Sequence, residues 1–473
     1  MRRLSKLYKE NVAALDRALR VDESFDILKK VMKIGDGEIT LYYIDGFVKD
    51  TIMGKLMIYF LSLNGIGEPS PASADKFLIS NLPYVEAEVT EDLDNMIQMM
   101  LSGATLMLGS SFEDKAILID SRSYPARDTQ EPENDRVMRG ARDGFVETLI
   151  SNTALIRRRI RDTSLTMAYV SVGKRTKTDI AICYLADKAD PEYVDYLKEK
   201  LKNIDTGALP LGHQSLTECL IKRRWYNPFP KIRNTERPDA AVAQILEGSV
   251  VILCDNSPEA MILPTCLFDF MQETNDFYYP PLTGSYLRLV RHLVFWSTLV
   301  LTPIWYFFVK NPDVVPSWLL FTLPENEAKI PILAQLLLVE FFLDGLKLAS
   351  MNTPNMLANS LSIVGSLILG DFAVGVGWLI PEVILYMAYI SIATFTQTSF
   401  ELGYAFKFLR VITIILTALF NFWGLIGGFA LSIILICTNE TANRRRNYLY
   451  PLIPFNGKAL LSLYIRLKKT RRS

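Results

Sequence analysis

From Val411 to Cys437 the chain carries no charged residue. A helix that crosses the hydrocarbon core of a bilayer takes about 20 apolar residues, so this run predicts a transmembrane helix. It does not stand alone. Residues 286–440 are dominated by Leu, Ile, Val, Phe and Trp, whereas residues 1–285 hold most of the charge. The 51 basic and 51 acidic side chains cancel over the chain as a whole, so the total charge says little about partners.

Other segments of the apolar half follow the same logic. His292–Val309, HLVFWSTLVLTPIWYFFV, is long enough for a second span, with Pro303 placed to kink it. Leu348–Phe400 contains only Asp371 and Glu382 as charges. It is too long for one helix and right for two, with a break at WLIPEVIL. There Pro381 suits a first helical position, and Glu382 suits the positive end of a helix. Pro331–Leu348 carries Glu340, Asp344 and Lys347 and reads as a partial or interfacial helix. The N-terminal MRRLSKLYKENVAALDRALR lacks the apolar core of a signal peptide, which places the first 285 residues on the cytoplasmic side. Arg444, Arg445, Arg446 and the tail's Lys468, Lys469, Arg471 and Arg472 favour that same side. An even number of spans follows, and about four full spans plus the partial helix satisfy it. That count leaves Lys407 and Arg410 near the outer face.

Asp371 is the most informative residue of this half. It stands inside SIVGSLILGDFAVGVGWLIP. An ionisable group at such depth costs at least ~2.5 kcal/mol on insertion scales, so it faces a partner or a polar cavity. A hydrogen bond to a neighbouring helix and a water-filled ion path are both open readings.

The charged half has the alternation of α/β domains. ITLYYID (39–45), KAILIDS (115–121), LTMAYVSV (165–172), TDIAICYLA (178–186), SVVILCD (249–255) and AMILPT (260–265) read as strands, and EDLDNMIQMML (91–101) and EYVDYLKEKLKNI (192–204) as helices. The polar run ARDTQEPENDR divides it near residue 130 into two lobes, neither an obvious repeat of the other. No Walker-type loop, nucleophile elbow or HExxH is present, and His213 and His292 are far apart, so neither an enzyme nor a metal site is indicated. The five cysteines show no CxxC pair and read as reduced packing residues.

Residues 132–161, PENDRVMRGARDGFVETLISNTALIRRRIR, hold seven arginines. Phe145, Leu149, Ile156 and Ile160 approximate a helical stripe, and Asp143 is positioned as its N-cap. At about 3.6 residues per turn, the arginines of RRRIR radiate from that stripe and cannot form one flat patch. A solvated face and contacts with a neighbouring subunit or domain are the readings that remain. Nucleic acid is excluded, because no wider basic surface with interleaved aromatics accompanies the cluster.

RGARDGFVETLISNTALIRRRI (139–160) and NPFPKIRNTERPDAAVAQILEGSVVILCDNSPEAMILPT (227–265) resemble signature segments of the A subunits of spore germinant receptors, the GerA family. GDFAVGVGWLIPEVILYMAYISIATF (370–395) and YLYPLIPFNGKALLSLYIR (448–466) resemble one branch of that family. The resemblance covers essentially the whole chain. It implies an α/β two-lobed cytoplasmic N-terminal region followed by an all-α multi-span transmembrane domain. The expected divisions are 1–130, 131–285, 286–440 and a basic cytoplasmic tail, 441–473. It further implies a multi-pass protein of the spore inner membrane, assembled with itself as a pentamer-like ring. That ring would conduct ions during germination and release monovalent cations. No cofactor or metal is implied. Partners within reach of the resemblance are a small membrane protein, germinant receptor subunits and dipicolinic acid channel proteins. On this basis Ser362, Val364, Asp371 and Val374 are the pore candidates, with the valines as apolar constrictions and Asp371 as a carboxylate ring. Arg139, Arg142, Glu147, Arg157 and Arg158 are the candidates for holding the ring together. The competing expectation is a non-conducting scaffold for receptors or the dipicolinic acid release machinery.

Overall fold

The computed structural model describes residues 3–465, apart from 85, 123–140, 222–224, 274, 326–328, 353–372 and 443–446. The chain divides into two compact units, residues 1–223 with 232–264, and residues 224–231 with 265–473.

In the first unit α1 (Tyr8–Leu19), β1 (Ile27–Ile34), β2 (Gly37–Ile44), α2 (Asp50–Leu61), α3 (Ser73–Asn81), β3 (Ala87–Thr90), α4 (Leu93–Leu101), β4 (Thr105–Gly109) and β5 (Ala116–Ile119) form one lobe. The second lobe contains α5 (Leu149–Arg159), β6 (Leu165–Val172), β7 (Thr178–Leu185), α6 (Pro191–Lys202), α7 (His213–Leu220), β8 (Arg233–Thr235), α8 (Pro238–Leu246), β9 (Val250–Cys254) and β10 (Ala260–Leu263). The second series repeats the first element for element. Each lobe builds one antiparallel five-stranded sheet, ordered β1-β2-β4-β5-β3 and β6-β7-β9-β10-β8. The expectation that neither lobe repeats the other is thereby corrected. The repeat lies in connectivity and burial, and the residues have diverged. Strands β4, β5, β9 and β10 are buried along their whole length, and such positions accept any aliphatic side chain that fits.

Each sheet is covered by helices. On β2, Ile39 and Leu41 point to one face and Tyr42 and Ile44 to the other, the two-residue period of a strand buried on both sides. Leu15 and Leu19 of α1 and Met96 and Met100 of α4 cover the second face. Met53, Leu56 and Phe60 of α2 and Phe77 of α3 cover the first. Each fully buried side chain of this size contributes about 1.5–3 kcal/mol. In the second lobe α5 and α8 cover β7 and β9 through Leu155, Ile156, Ala241 and Ile245.

The second unit is helical. It contains α9 (Asn275–Tyr278), α10 (Pro281–Lys310), α11 (Ile332–Asn352), α12 (Ala373–Gly375), α13 (Pro381–Phe395), α14 (Phe400–Cys437) and α15 (Gly457–Tyr464). Among the described residues, α10 and α14 are long and apolar enough to cross a membrane. Helix α13 starts at Pro381 with Glu382 in its first turn, as the WLIPEVIL break predicts.

The reading of Val411–Cys437 as a single span is corrected. Asn421 has φ 52 and ψ −126 inside α14. A Cβ built on Gly428 would lie 2.6 Å from Thr413 Cγ2. The positions are 428 − 413 = 15 residues apart, a separation of about 22 Å along a straight helix. The chain therefore reverses at Asn421, and limbs 400–420 and 422–437 lie side by side. Gly424 and Gly428, four residues apart, let the two backbones approach. A Cβ on Gly424 would run into the Leu416 carbonyl oxygen. The turn is tied to the end of α10. Asn311 and Asn421 exchange side-chain amide hydrogen bonds at 2.7 and 2.8 Å. Lys310 Nζ donates to the carbonyls of Thr417 and Ala418, a cation at a helix C-terminus.

Two clusters order the unit along its length. Phe295 and Leu299 of α10, Leu402 to Leu409 of the first limb and Ile436 of the second pack in one. Trp305 and Tyr306 of α10, Leu336 and Val339 of α11, Val383 and Met387 of α13 and Ile414 pack in the other. The first limb thus runs parallel to α10, and the second limb returns. Arg288 Nη1 donates to the Ser462 carbonyl at 2.9 Å, and the His292 ring lies 4.8 Å from that of Tyr464. The start of α10 and the C-terminal helix α15 are therefore adjacent.

Candidate functional site

Charges that sequence reading left at an interface and an outer face meet inside the helical unit. Glu340 and Asp344 stand one turn apart on α11, and Lys407 and Arg410 stand one turn apart on the first limb of α14. Arg410 Nε donates to Glu340 Oε1 at 3.0 Å, and its Nη1 donates to the Thr298 carbonyl of α10 at 2.9 Å. Lys407 Nζ lies 3.1 Å from Glu340 Oε2 and pairs with Asp344 Oδ2. Lys407 and Arg410, expected near the outer face, thus join a four-charge network with Glu340 and Asp344, in which Glu340 and Arg410 are buried and Asp344 and Lys407 half-buried.

A cavity opens beside this network. Its lining includes Asp344, Lys347, Thr394, Gln397 and Tyr404. Lys347 Nζ lies 5.6 Å from the Phe395 ring centre and 5.7 Å from that of Tyr404, within cation–π range. Asp344 Oδ1 and Gln397 Oε1 are buried without a hydrogen-bond partner among the described residues. Two acceptors without donors in one cavity leave room for water or a cation to complete them. Intramembrane ionisable groups that pair with one another and face a cavity are the usual marks of an ion or proton path. The sequence signal for this site was available. Two apolar helices carried charges of opposite sign at helical spacing, but their pairing spans 63 to 70 residues.

The pore candidates Ser362, Val364 and Asp371 lie outside the described residues. Val374 sits half-buried in α12.

The interface candidates separate. Arg139 lies outside the described residues, and Arg142, Glu147 and Arg158 are exposed. Arg157 is fully buried, so this side chain has no surface to give a neighbouring subunit. Its Nε donates to Asp26 Oδ2 at 2.7 Å, and its Nη2 donates to Asp26 Oδ1 at 3.0 Å and Ser24 Oγ at 3.1 Å. The Asp162 and Leu165 carbonyls accept its remaining hydrogen bonds. Ser24 and Asp26 precede β1, so Arg157 ties the second lobe to the first. Backbone bonds continue the seam from Phe25 N to the Met167 carbonyl. Helix α5 packs into both lobes, with Ala154 in the first core and Leu155 and Ile156 in the second. Its first helical residue is Leu149, and Asp143 pairs with Arg159 rather than capping the helix. Burial pushes the nearby Cys183 thiol far above its ordinary range, with the Asp26 carboxylate adding to the shift.

The family model described as Bacillus/Clostridium GerA spore germination protein matches residues 15–473. The chain is 38% identical over 448 residues to Stage V sporulation protein AF of Bacillus subtilis, covering 94% of this chain and 90% of that one. It is 26% identical over 470 residues to Spore germination protein KA of Bacillus subtilis, covering 98% and 85%. Among solved structures, the N-terminal domain of the A subunit of the Bacillus megaterium spore germinant receptor GerK3 matches with a TM-score of 0.41 and 22% identity, covering 55% of this chain and 96% of that one.

Proposed function

Because this chain belongs to the GerA spore germination protein family, we propose that it is an oligomeric ion channel of the spore inner membrane that promotes germination by releasing monovalent cations. The observation that carries this reading is the charged network in its helical unit, with the unpartnered Asp344 oxygen facing a cavity. In this proposal a ring of copies, a pentamer, surrounds a pore lined by residues 359–378. Asp371 draws cations, and Val364 and Val374 narrow the path. Helix α11 ends at Asn352, seven residues before that segment. The pairs Glu340–Arg410 and Asp344–Lys407 hold α11 against α14, so a change in their pairing is passed to the pore segment along the chain. The lobes stand on the cytoplasmic side, where Arg142, Glu147 and Arg158 meet neighbouring copies. Germinant receptor subunits, dipicolinic acid channel proteins or a small membrane protein supply the opening signal.

One observation favours a second reading. The four charges of the network pair with one another within a single copy, as a non-conducting scaffold would need. Potassium release from liposomes containing the purified oligomer separates the two. A channel releases the ion, Asp371→Asn lowers the release several-fold, and Glu340→Gln changes the basal leak. A verified oligomer that releases nothing supports the scaffold.

A further inference from the structure

A different surface of the helical unit carries a ligand class of its own. Trp296, Leu299 and Val300 of α10 form one wall of a groove, Phe429, Ile433 and Ile436 of the second limb form another, and Leu449 and Leu452 close its end. The groove presents no polar surface. The only hydroxyl in it, on Ser432, donates back to the Gly428 carbonyl at 2.9 Å. Ile433 is largely exposed on this face.

The end of the groove is marked by aromatic residues. Trp225 is 95% exposed and Tyr226 stands beside it. Their segment is fastened to the second limb and to the end of the groove. Asn227 Nδ2 donates to the Leu435 carbonyl, and the Phe229 ring lies 6.2 Å from that of Tyr448, the residue before Leu449. Ile453 and Phe455, just past Leu452, are exposed as well. Exposed Trp and Tyr at the ends of apolar helices mark the headgroup level of a bilayer. A slot that is apolar along its length and ends beside exposed Trp and Tyr side chains fits the acyl chain of a membrane lipid, with its headgroup at the aromatic end.

We propose that this groove is a membrane-lipid-binding site, holding one acyl chain between α10 and the second limb of the hairpin. The inference does not depend on ion conduction, because a scaffold would carry the same groove.

The test is lipid retention by the full chain. The protein is reconstituted in vesicles of phosphatidylglycerol, re-extracted in detergent and washed, and the bound phospholipid is counted by native mass spectrometry. About one phospholipid per chain is expected to stay with the wild type. Val300→Trp and Leu452→Trp, which fill the groove from its wall and from its exposed rim, should each lower retention at least threefold. Leu419→Trp, on an exposed position outside the groove, should leave it unchanged, and a preserved elution volume and melting temperature confirms folding. Equal retention in the wild type and both groove variants overturns the proposal, as does a wild type that retains none. Groove variants that lose oligomer mass while keeping their lipid overturn it too, and assign the groove to a second copy of the chain.

Discussion

Arg157 shows how far a single side chain can depart from the surface role that its sequence context offers. It sits in a run of consecutive arginines, yet it alone is fully buried and spends its guanidinium on Asp26 and Ser24. Removing one partner of a buried pair leaves the other charge unpaired and costs about 3–5 kcal/mol. Arg157→Ala should therefore lower the first unfolding midpoint of the purified chain in urea, followed by circular dichroism. Arg157→Lys should lower it as well, because an ammonium cannot reproduce the two-toothed contact. An unchanged midpoint would remove the clamp from the argument. Arg158→Glu is the complementary case. Being exposed, it should leave that midpoint alone and weaken the oligomer, read as mass in detergent. Cysteine reactivity follows burial in the same way. Burial pushes the Cys254 thiol up to about 12, with Asp255 adding to it, so at pH 8 only about one thiol in ten thousand is the reactive thiolate. A maleimide at pH 8 should label exposed Cys219 and spare Cys183 and Cys254 until the chain is unfolded. What the sequence could not tell about Arg157 is plain in physical terms. Its helix was legible from the apolar stripe, but its partner lies 131 residues away, beyond any local period.

At the scale of elements, the most regular part of the sequence was the least correctly read. Strands β6, β7, β9 and β10 were visible because branched and aromatic residues were bounded by polar turns. The hairpin was hidden because hydropathy measures only how long a segment stays apolar. A reversal within a continuous apolar run needs one residue with positive φ and partners for the freed carbonyls. Asn421 supplies the first, and Lys310 supplies the second by donating to the Thr417 and Ala418 carbonyls. Asn421→Pro, which locks φ near −65°, should abolish the folded helical unit, seen as loss of the monodisperse peak in detergent. Gly428→Leu should separate the limbs where Thr413 now sits against the backbone and lower the melting temperature by several degrees. A variant at Gly428 with wild-type melting would mean that the limbs do not need their close contact. Of the candidate site, the charges themselves were legible and their meeting was not, because a charge in an apolar helix announces a cost without naming its partner.

Across the whole molecule, two successive lobes share one element order, and one helix belongs to both. Helix α5 opens the second series yet places Ala154 in the first core, while Gly46, after β2, leaves just enough space for Ile150 and Ala154 of α5. The polar run near residue 130 marks the division between the series in sequence, but the packing crosses it. A chain interrupted there would still carry matching halves of one seam. Residues 1–130 and 131–473, expressed as separate polypeptides in the same cell, should recognise each other through the α5 surface and purify together without a covalent link.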